Sequence, residues 1–461
     1  MSYEIRIDIP SEVKEILWLL RAAGHEAYIV GGCVRDSLMG TEPGDWDFCT
    51  DALPDDMIGI FGSSGLCTLD YGAKHGTVAA VLHGKAYEVT TYRIDGGYSD
   101  SRHPDAVTFT RSLEEDLARR DFTVNAMAYS EERGLVDPFG GREDLERGVL
   151  RCVGDPEKRF REDALRIVRA MRFCSKLGFA ADRETKDAAI GNRALLHDIS
   201  AERIRVEFVK TLRGSAARQA LDEFRDVVAE FIPEAAPMFD LDQQNDYHCY
   251  DVWQHTLHAV ENAEDNEVVK IAAFFHDIGK PGCKTVTDDG WGHFYGHEHA
   301  GAEITDRVMR RLRFDNRTRE TVTELIYYHG IVFQQTEKHA RRMLNKFGPE
   351  KLELLTQLEL ADVKSQAPFC RDERVRGIEA FRAIAADVIR QQQCFKIADM
   401  AVGGNDILRM GVPQGPEVGR ILKELFELVA DGEIPNDRDT LLRKARSLAG
   451  AWTGGARKPE Q

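Results

Sequence analysis

The spacing of apolar residues divides the chain into an N-terminal part of mixed character and a long helical remainder. Up to about residue 150, short apolar or alternating runs bounded by glycine predict strands among helices, and the clearest are AYIVGG, DWDFCT, TVAAVLHG and AYEVTTYRI. From about 155 to 230, and from about 252 to 390, apolar residues recur every three or four positions, which predicts helices. A turn-rich stretch at 401–419 precedes an amphipathic helix, GRILKELFELV.

Composition narrows the class of protein without naming a function. The chain has 461 residues, 43% hydrophobic and 30% charged, which is typical of a globular protein with several domains. The first residues, MSYEIRIDIP, lack a secretory pattern, and no apolar run approaches the ~18 residues of a membrane span. The nine cysteines are scattered and never form CxxC, which predicts the reduced thiols of a cytoplasmic protein.

The charge pattern is acidic overall but contains two basic stripes. The formal net charge is −17 at pH 7, which argues against a broadly basic nucleic-acid-binding surface. Residues 158–176 nevertheless carry seven Lys or Arg against two acids. The second stripe consists of Arg307, Arg310, Arg311, Arg313, Arg317 and Arg319. Solvated helix faces would explain both stripes, but such stripes can also hold a polyanion along one face of an acidic protein.

A glycine turn followed by two carboxylates forms the first candidate site. Gly31 and Gly32 have no Cβ, so the backbone can turn there and approach a ligand closely. The short helix predicted next offers free N–H groups, and Arg35 adds donors for a phosphate. On a strand, Asp45 and Asp47 would share a face and suit Mg²⁺. The alternative is an ordinary turn before an exposed charged strand.

The segment between residues 88 and 121 supplies further candidates. Glu88, in the run AYEVTTYRI, could be a third carboxylate or a solvated strand residue. Residues 93–109 are polar with little to bury, which predicts a mobile loop over the site. In RRDFTVNAMA, Arg120 is a candidate triphosphate contact and Asp121 a candidate acceptor for a ribose hydroxyl. Ordinary capping at a helix start would explain the same residues.

A carboxylate and an arginine in REDALRIVRAMRF suggest base recognition. On a predicted helix, Asp163 and Arg166 are three residues apart and share a face. Cytosine and adenine both present an exocyclic amino donor beside a ring-nitrogen acceptor, so this pair could accept them and reject guanine and uracil. Arg169 and Arg172, further along the helix, could reach phosphates. An intrahelical ion pair of little energetic value is the alternative.

A histidine-rich region holds a second group of candidate ligands. An adjacent His-Asp pair is followed by a Gly-Lys turn, and further histidines and an aspartate stand before and after it. Imidazoles and carboxylates are ordinary ligands of divalent transition metals, and a bound metal can activate water for phosphoester hydrolysis. The residues are His255, His276, Asp277, His297, His329 and Asp362.

Taken together and in order, GGCVRD, GDWDFCT, RRDFTVNAMA, DPFGG and EDALRIVRAMRF resemble the motif series of the class II CCA-adding tRNA nucleotidyltransferase and poly(A) polymerase family. The resemblance covers roughly residues 20 to 230, and the segment from 401 is similar to the family's tRNA-holding end. It implies an α+β chain, with an N-terminal nucleotidyltransferase (polymerase-beta-like) mixed sheet with helices, followed by all-α neck, HD and tail domains.

The resemblance also implies residue roles. The catalytic Mg²⁺ ligands would be Asp45 and Asp47. The nucleotide-binding residues would be Gly32, Arg35, Arg120, Asp121, Asp163, Arg166, Arg169 and Arg172. Asp163 and Arg166 would read the base. The loop at 93–109 resembles the one that complete CCA-adding enzymes keep, which favours full CCA addition over CC addition alone.

The histidine region resembles the HD phosphohydrolase superfamily, because its H…HD…D series is complete. The ligands implied for one metal are His255, His276, Asp277 and Asp362, and those for a second metal are His297 and His329. The activity implied is hydrolysis of phosphate monoesters or of 2′,3′-cyclic phosphates at RNA ends. A structural remnant that supports tRNA binding is the alternative.

These implications combine into one expected function. The chain would add CCA to the 3′ end of tRNA from CTP and ATP, without a nucleic-acid template, and release pyrophosphate. Its expected cofactor is Mg²⁺, its expected partners are tRNA, CTP and ATP with no membrane or protein partner, and its expected location is the cytoplasm. The expected domains are the head at 1–150, the neck at 151–235, the HD domain at 245–390 and the tail at 395–452.

Several alternatives stay open at this stage. Within the family, a poly(A) polymerase would use ATP alone, and a partial enzyme would add only CC or only A. From another class, an HD phosphohydrolase could carry a head that merely binds nucleotide. A non-catalytic RNA-binding module is disfavoured, because paired carboxylates repel phosphate unless a cation lies between them.

Overall fold

Two units make up the part of the chain that the structure, a computed structural model, describes. That part comprises residues 6–96, 107–391 and 396–453. One unit is Met1–Pro237 with Val308–Phe314, and the other is Met238–Arg307 with Asp315–Gln461. The first unit contains a mixed sheet with helices and the second is mainly helical, so the predicted α+β class is confirmed. The finer division into four domains stays a prediction.

The strands of the first unit form one large sheet and two small ones. They are β1 Ala27–Val30, β2 Phe48–Thr50, β3 Cys67–Gly72, β4 Thr77–Leu82, β5 Lys85–Thr91, β6 Arg93–Asp95, β7 Val107–Phe109, β8 Ala128–Ser130, β9 Gly134–Val136, β10 Val149–Leu150 and β11 Ala180–Ala181. Within the described residues, the large sheet has seven strands in the order β3-β4-β5-β2-β1-β8-β9. Its strands β2 and β5 are parallel, and its other neighbours are antiparallel.

The helices of this unit are α1 Ser11–Ala22, α2 Gly32–Leu38, α3 Pro54–Ser63, α4 Leu113–Ala118, α5 Gly141–Arg147, α6 Pro156–Glu162, α7 Leu165–Leu177, α8 Arg183–Gly191, α9 Ala201–Leu212, α10 Ala217–Glu223 and α11 Arg225–Phe231. α1 and α3 pack against the large sheet. β1 buries all four of its side chains, whereas β4 alternates, as a strand with one covered face does. The core between the large sheet and helices α1 and α3 includes Ile16, Leu20, Phe48, Phe61 and Val89.

The remaining elements belong to the second unit, except for residues 308–311 of α15, which belong to the first. They are α12 Val252–Asn262, α13 Glu267–Phe275, α14 Lys280–Cys283, β12 Thr285–Val286, β13 Gly292–His293, α15 His297–Arg311, α16 Asn316–Tyr328, α17 Glu337–Lys364, α18 Pro368–Arg390, α19 Gly404–Leu408, α20 Pro416–Ala430 and α21 Arg438–Thr453. α17 is broken at Gly348, whose φ of 74° is left-handed and which precedes Pro349. α17 packs on α12, α13 and α18, which brings the histidine-bearing segments together.

The carboxylates Asp45 and Asp47 precede a strand instead of lying within it, so that prediction is wrong. β2 begins only at Phe48, although the Asp47 carbonyl still accepts a hydrogen bond from Val30 N at 3.0 Å. The pairing stops there because β1 ends at Val30 and the chain turns away at Gly31. The side chains of Asp45 and Asp47 therefore stand at the end of the strand pair.

The helix predicted over residues 161–173 is two helices. α6 ends at Glu162 and α7 begins at Leu165, with Asp163 extended between them at φ −140°, ψ 101°. Asp163 Oδ1 accepts a hydrogen bond from Leu165 N at 3.1 Å. A carboxylate that bonds the first N–H groups of a helix starts that helix. The prediction that Asp163 and Arg166 share one helix face is therefore wrong.

Residues 93–109, predicted as a loop, begin and end in strands. β6 and β7 pair antiparallel, from Arg93 with Phe109 to Asp95 with Val107. The loop prediction is wrong for these ends, because each strand supplies the backbone hydrogen-bond partners of the other. Residues 97–106 lie outside the described residues, and the predicted mobility stays a prediction.

Two features of the described residues concern membrane spans and cysteines. Among the residues described, no helix combines the length and the apolar character needed to cross a bilayer. Every cysteine that the structure describes is a free thiol.

A glycine pair lets helix α5 pack closely on the RRDFTVN segment. Gly140 has a left-handed φ of 72°, and the N–H of Gly141 donates to Asp137 Oδ1 at 2.8 Å. A Cβ at Gly141 would lie 2.2 Å from the Thr123 carbonyl oxygen, where no atom fits. Thr123 Oγ1 in turn donates to Asp144 Oδ2 of α5 at 2.6 Å. The DPFGG segment thus allows α5 to pack closely against the segment that carries the candidate site residues Arg120 and Asp121.

We expect Gly141→Ala to lower the midpoint of urea unfolding of the first unit, by a change equivalent to about 1–3 kcal/mol. The backbone of Thr123 would have to shift to admit the new methyl group. Gly62→Ala is the matched control, because Gly62 is also helical but a methyl group there would meet no atom of the described residues within 4 Å. The control should keep or raise the midpoint. Equal midpoints for the two variants would contradict the close approach.

Candidate active sites

A left-handed turn at Gly31 begins the candidate site of the first unit. Gly31 has φ 79°, a conformation that favours glycine, and its N–H donates to the Met127 carbonyl at 3.0 Å. A Cβ at Gly31 would lie 2.9 Å from Arg120 Nη1. At Gly32 a Cβ would make only an ordinary contact, 3.6 Å from Arg35 Nη2. The steric need for glycine therefore falls on Gly31, although the ligand contact was predicted at Gly32.

Arg35 is buried on α2 and firmly held. Its Nε donates to Asp36 Oδ1 at 2.8 Å, and its Nη1 donates to Asn125 Oδ1. Its guanidinium also lies 5.3 Å from the ring centre of Phe173. Arg35 is thus fixed beside the turn, where it can meet a phosphate without first being ordered.

Asp45 and Asp47 form an accessible acidic group with Glu88 of β5. Desolvation raises the pKa of Asp47, Arg120 opposes the rise, and the neighbouring Glu88 and Asp45 add to it. Neighbouring carboxylates are the donor set that a hard cation neutralises, so the residues fit Mg²⁺. Among the described residues, however, the groups of three ligands within 4.8 Å of one another all lie in the second unit. Glu88 as a third ligand stays a hypothesis.

Asp121 is buried at the centre of a hydrogen-bond network. Its Oδ1 accepts from Phe122 N at 2.8 Å and from Asn125 Nδ2 at 3.1 Å, and its Oδ2 accepts from Arg169 Nε at 3.0 Å. Burial alone would raise the pKa of Asp121, but Arg169 and these hydrogen bonds hold it well below the ordinary carboxyl value. Asp121 is therefore ionised, and any ribose hydroxyl would share its oxygens with these donors.

Three guanidinium groups surround the ring of Phe173. The centroid distances are 5.3 Å for Arg35, 5.3 Å for Arg169 and 4.0 Å for Arg172. Arg172 forms an ion pair with Glu207, Nε to Oε2 at 2.8 Å. Burial lowers the pKa of Arg172, and the nearby Arg169 and Arg35 lower it further. Each guanidinium also has a carboxylate partner, so what the guanidinium cluster offers a polyphosphate is a set of ordered N–H donors.

Arg166 is paired with Glu162, not with Asp163. Its Nη1 lies 2.9 Å from Glu162 Oε2, and its Nη2 donates to the Arg119 carbonyl at 3.0 Å. Asp163 Oδ2 accepts instead from Arg203 Nη2 at 3.4 Å. Glu162 was not among the predicted site residues, although its i,i+4 spacing from Arg166 was the available signal. Reading of the base by Asp163 and Arg166 stays a prediction.

The predicted histidine-region ligands come together in the second unit. They are His255 of α12, His276 and Asp277 after α13, His297 at the start of α15, His329 after α16, and Asp362 of α17. His255 Nε2 lies 2.9 Å from Asp362 Oδ1 and 3.3 Å from His276 Nε2. His297 Nε2 lies 3.1 Å from His329 Nε2.

The four histidines are oriented alike. In each, Nδ1 lies at hydrogen-bond distance from a backbone carbonyl, those of Ser365, Ala273, Phe294 and Ile326. An Nδ1–H that donates to a carbonyl leaves Nε2 as the unprotonated ligand atom. Burial, together with His276 and His297, lowers the pKa of His329 to about 4, so this ring is neutral at physiological pH. The donor set therefore fits divalent metal ions.

Asp277 is shared by two ligand groups. Its Oδ2 lies 3.2 Å from His276 Nε2 and 3.4 Å from His255 Nε2. Its Oδ1 lies 3.5 Å from His297 Nε2 and 4.0 Å from His329 Nε2. Burial opposes its ionisation, yet His276 and Lys280 hold the pKa of Asp277 well below the ordinary value. One carboxylate thus faces two histidine pairs, as a ligand that bridges two ions would.

Lys280 is a site residue that was not predicted from the sequence. It is buried, its Nζ lies 2.7 Å from Asp277 Oδ2, and it donates to Gln243 Oε1 at 2.8 Å. The Gly-Lys turn three residues after Asp277 was the signal that could have identified it.

Three protein families match successive segments of the chain. The Poly A polymerase head domain matches residues 27–151, the probable RNA and SrmB-binding site of polymerase A matches 178–238, and the HD domain matches 245–366. Together with the turn, the carboxylates and the guanidinium cluster, they define the class: a nucleotidyltransferase of the poly(A) polymerase type whose chain also carries an HD domain.

Full-length relatives narrow this class. The CCA-adding enzyme of Leuconostoc mesenteroides is 33% identical over 437 residues, 94% of this chain and 96% of that protein. That of Geobacillus stearothermophilus is 53% identical over 210 residues, 46% of this chain and 51% of that protein. The structure of the Bacillus stearothermophilus CCA-adding enzyme in complex with CTP matches 96% of this chain and 98% of that chain, with TM-score 0.72 and 30% identity. The chain belongs to the CCA-adding enzyme family and is a tRNA nucleotidyltransferase.

We expect Asp121→Asn to destabilise the first unit by about 1–3 kcal/mol at neutral pH, because Arg169 loses its buried counter-charge. A carboxylate whose pKa is lowered in the folded state stabilises the fold fully above its ordinary pKa of about 3.9. This stabilisation is lost as the pH falls through the lowered pKa of the folded state. Urea unfolding of wild type and variant at pH 7 and pH 3 would show the difference shrinking.

Asp187→Asn is the control for Asp121→Asn. Asp187 pairs with Arg183 on the surface of α8, so its loss should change stability by less than about 0.5 kcal/mol. A wild-type advantage over Asp121→Asn that is equally large at both pH values would contradict the ionised state of Asp121.

Proposed function

We propose that the chain adds CCA to the 3′ end of tRNA, taking CTP and ATP, using no nucleic-acid template and releasing pyrophosphate. The observation that carries the proposal is that one unit holds the turn at Gly31, the carboxylates Asp45 and Asp47, and the guanidinium cluster around Phe173. Relatives named CCA-adding enzymes, and a CTP complex of one of them, support this choice of substrates.

Each part of the site has a place in the transfer. The tRNA 3′-hydroxyl loses its proton to solvent and its oxygen bonds to the α-phosphorus, while the bond from that phosphorus to the bridging oxygen breaks and pyrophosphate leaves. Asp45 and Asp47 would hold Mg²⁺, which when bound neutralises charge on the phosphates. Arg35, Arg169 and Arg172 bind the triphosphate. Because these guanidinium groups are already ordered, they hold the nucleotide in line with the attacking hydroxyl.

Nucleotide choice falls to side chains, because no template is used. Asp163 accepts from the exocyclic amino group that cytosine and adenine share, and Arg166 donates to the adjacent ring nitrogen. Guanine and uracil present the reversed pattern at that edge. Glu162 and the Arg119 carbonyl fix the Arg166 guanidinium, which makes it a specific reader. Arg120 and Asp121 contact phosphate and ribose, and Gly32 lies beside the triphosphate.

The tRNA and the cellular location follow from the same reasoning. Single-stranded RNA ends present bases that can be read and stacked. The acidic chain holds RNA through a few basic stripes, so affinity falls with salt. Free thiols throughout the described residues support a reducing compartment, the cytoplasm.

Defined tRNA transcripts test the proposal. Transcripts ending before CCA, before CA or before A are incubated with Mg²⁺ and with CTP, ATP, both, GTP or UTP, and sized on a sequencing gel. Growth by three, two and one nucleotides, with a stop there, is expected. An ATP-only ladder would identify a poly(A) polymerase, and a stop after CC would identify a partial enzyme.

We expect Asp45→Asn and Asp47→Asn each to lower the rate of nucleotide addition at least about a hundredfold, the loss typical when an electrostatic stabiliser is removed. The same gel assay measures the rate. Glu42→Gln, an exposed carboxylate in the same segment, is the control and should retain full activity. Undiminished addition by the Asp45→Asn, Asp47→Asn double variant would remove both residues from the catalytic machinery.

The position of Asp277 favours a second activity in the second unit. We infer that His255, His276, Asp277 and Asp362 hold one divalent ion, and that Asp277, His297 and His329 hold another. Bound ions would activate water, whose oxygen bonds to phosphorus while the bond from phosphorus to the ribose oxygen breaks. The substrates would be phosphate monoesters or 2′,3′-cyclic phosphates at RNA ends. The residues supply this through four Nε2 atoms, each on a ring whose Nδ1 faces a backbone carbonyl, and through an ionised carboxylate.

Metal content tests this second activity in an Asp45→Asn, Asp47→Asn background, which removes the first site. After dialysis against Mn²⁺, we expect about two ions per chain, about one after His297→Ala, and none after Asp277→Asn, because Asp277 serves both groups. His197→Ala, an exposed histidine, is the control. If no Mn²⁺ is bound when the second unit carries no substitution, the structural-remnant alternative is favoured.

A further inference from the structure

The cavity at Asp277 has two kinds of lining. Its volume is about 530 Å³, within the range of about 300–1,000 Å³ that small-molecule sites occupy, and far more than a phosphate group fills. One part of the lining consists of the candidate metal ligands Asp277, His297, His329 and Asp362. The other part is aromatic and includes Tyr247, Trp291 and Tyr295. The phosphohydrolase chemistry uses only the first part.

Trp291 is held in place by its hairpin. Strands β12 and β13 pair, and Thr287 N donates to the Trp291 carbonyl at 3.0 Å across the turn. Gly292 N donates to the Gln244 carbonyl at 2.8 Å, and a Cβ at Gly292 would lie 2.2 Å from the Gln243 carbonyl oxygen. The hairpin is therefore seated directly on the segment that leads to Tyr247.

Tyr247 stands beside Trp291 with half of its surface open. The two rings meet edge to face, with centroids 6.2 Å apart and planes at 82°. The Tyr247 carbonyl accepts from Ala367 N at 2.9 Å, and its side chain is 51% exposed. Tyr247 also meets Phe369, with centroids 5.9 Å apart and planes tilted by 34°, so the rings form an aromatic cluster at the cavity wall. Partly exposed aromatic side chains of this kind can stack on a flat ligand.

The cavity also has cationic groups. Lys280 lies in its lining, held by Asp277 and Gln243, and Arg374 lines it as well and donates to Gln366. A ligand with a flat apolar ring and a phosphate matches this combination of aromatic rings, cations and candidate metal ligands. A nucleotide has both parts, and stacking of bases on aromatic side chains is the usual way in which proteins bind unpaired nucleotides.

We propose that Tyr247 and Trp291 bind the nucleobase of a nucleotide whose phosphate lies at Asp277. The substrate class of the second unit is then nucleoside phosphates and phosphorylated RNA ends, not small phosphate esters without a base. The inference rests on the phosphohydrolase activity proposed above. In that hydrolysis water supplies the new oxygen on phosphorus, the ribose oxygen leaves with a proton, and the products are a free hydroxyl and inorganic phosphate.

Fluorescence tests the base site without turnover. 2-Aminopurine riboside, whose emission is quenched on stacking, is titrated into the full chain in EDTA. We expect quenching with the wild type, and a Kd raised about fivefold to a hundredfold by Trp291→Ala with Tyr247→Ala, the range for loss of a stacked base. Tyr250→Ala is the control, because Tyr250 is also exposed and stacks on His258 outside the cavity lining. It should bind as the wild type does.

Kinetics then separate the two proposals. With Mn²⁺, the double variant should raise KM for adenosine 3′-monophosphate by a similar factor and leave kcat/KM for glycerol 2-phosphate unchanged. If the wild type hydrolyses neither ester, the proposed phosphohydrolase activity is contradicted. Quenching that is seen with the wild type and lost in the double variant would still support the base site. Hydrolysis of both esters with equal kcat/KM, and no quenching, would overturn the base site alone. If the double variant does not fold, the wild-type preference between the two esters and the same measurements on Tyr247→Leu test the base site instead.

Discussion

The candidate site of the first unit depends on the buried ion pair between Asp121 and Arg169. Asp121 lies in the segment after α4, and Arg169 lies on α7, so the pair ties the sheet-side loop to the helix that carries the other arginines. Taking both charges from water is costly, and the hydrogen bonds from Phe122 and Asn125 offset part of that cost. The pair therefore contributes position more than stability. Together with the bond from Arg35 to Asn125, the pair fixes the guanidinium cluster around Phe173 relative to the Gly31 turn.

Local patterns allowed much of the fold to be predicted from the sequence. AYIV and TVAAVL are strands because short apolar runs bounded by glycine favour strands. The break at Asp163 could not be predicted this way, because no glycine or proline marks it. It follows from contacts of Asp163 with Leu165 N and with Arg203, which is distant in sequence. The start of β2 at Phe48 is likewise set by the neighbouring strand β1, which ends at Val30.

The site of the second unit shows the same division between sequence and structure. The His-Asp pair and its Gly-Lys turn identified the region, because those residue types in that spacing are unusual in a helical segment. The sequence could not show that Asp277 faces two histidine pairs with separate oxygens, since that depends on the packing of α12, α15 and α17. The sequence did not indicate Trp291 or Tyr247, because neither lies in a stretch where apolar residues recur at a regular spacing.

The three guanidinium groups around Phe173 also affect the protein when no nucleotide is bound. Burial lowers the pKa of Arg172, and the nearby Arg169 and Arg35 lower it further, so holding this charge in the folded state costs free energy. In the proposed function a triphosphate binds at these groups, and only in the folded chain, so it would stabilise the fold by mass action. The resistance of this unit to unfolding, and hence to proteolysis, would then depend on the concentration of nucleotide around it.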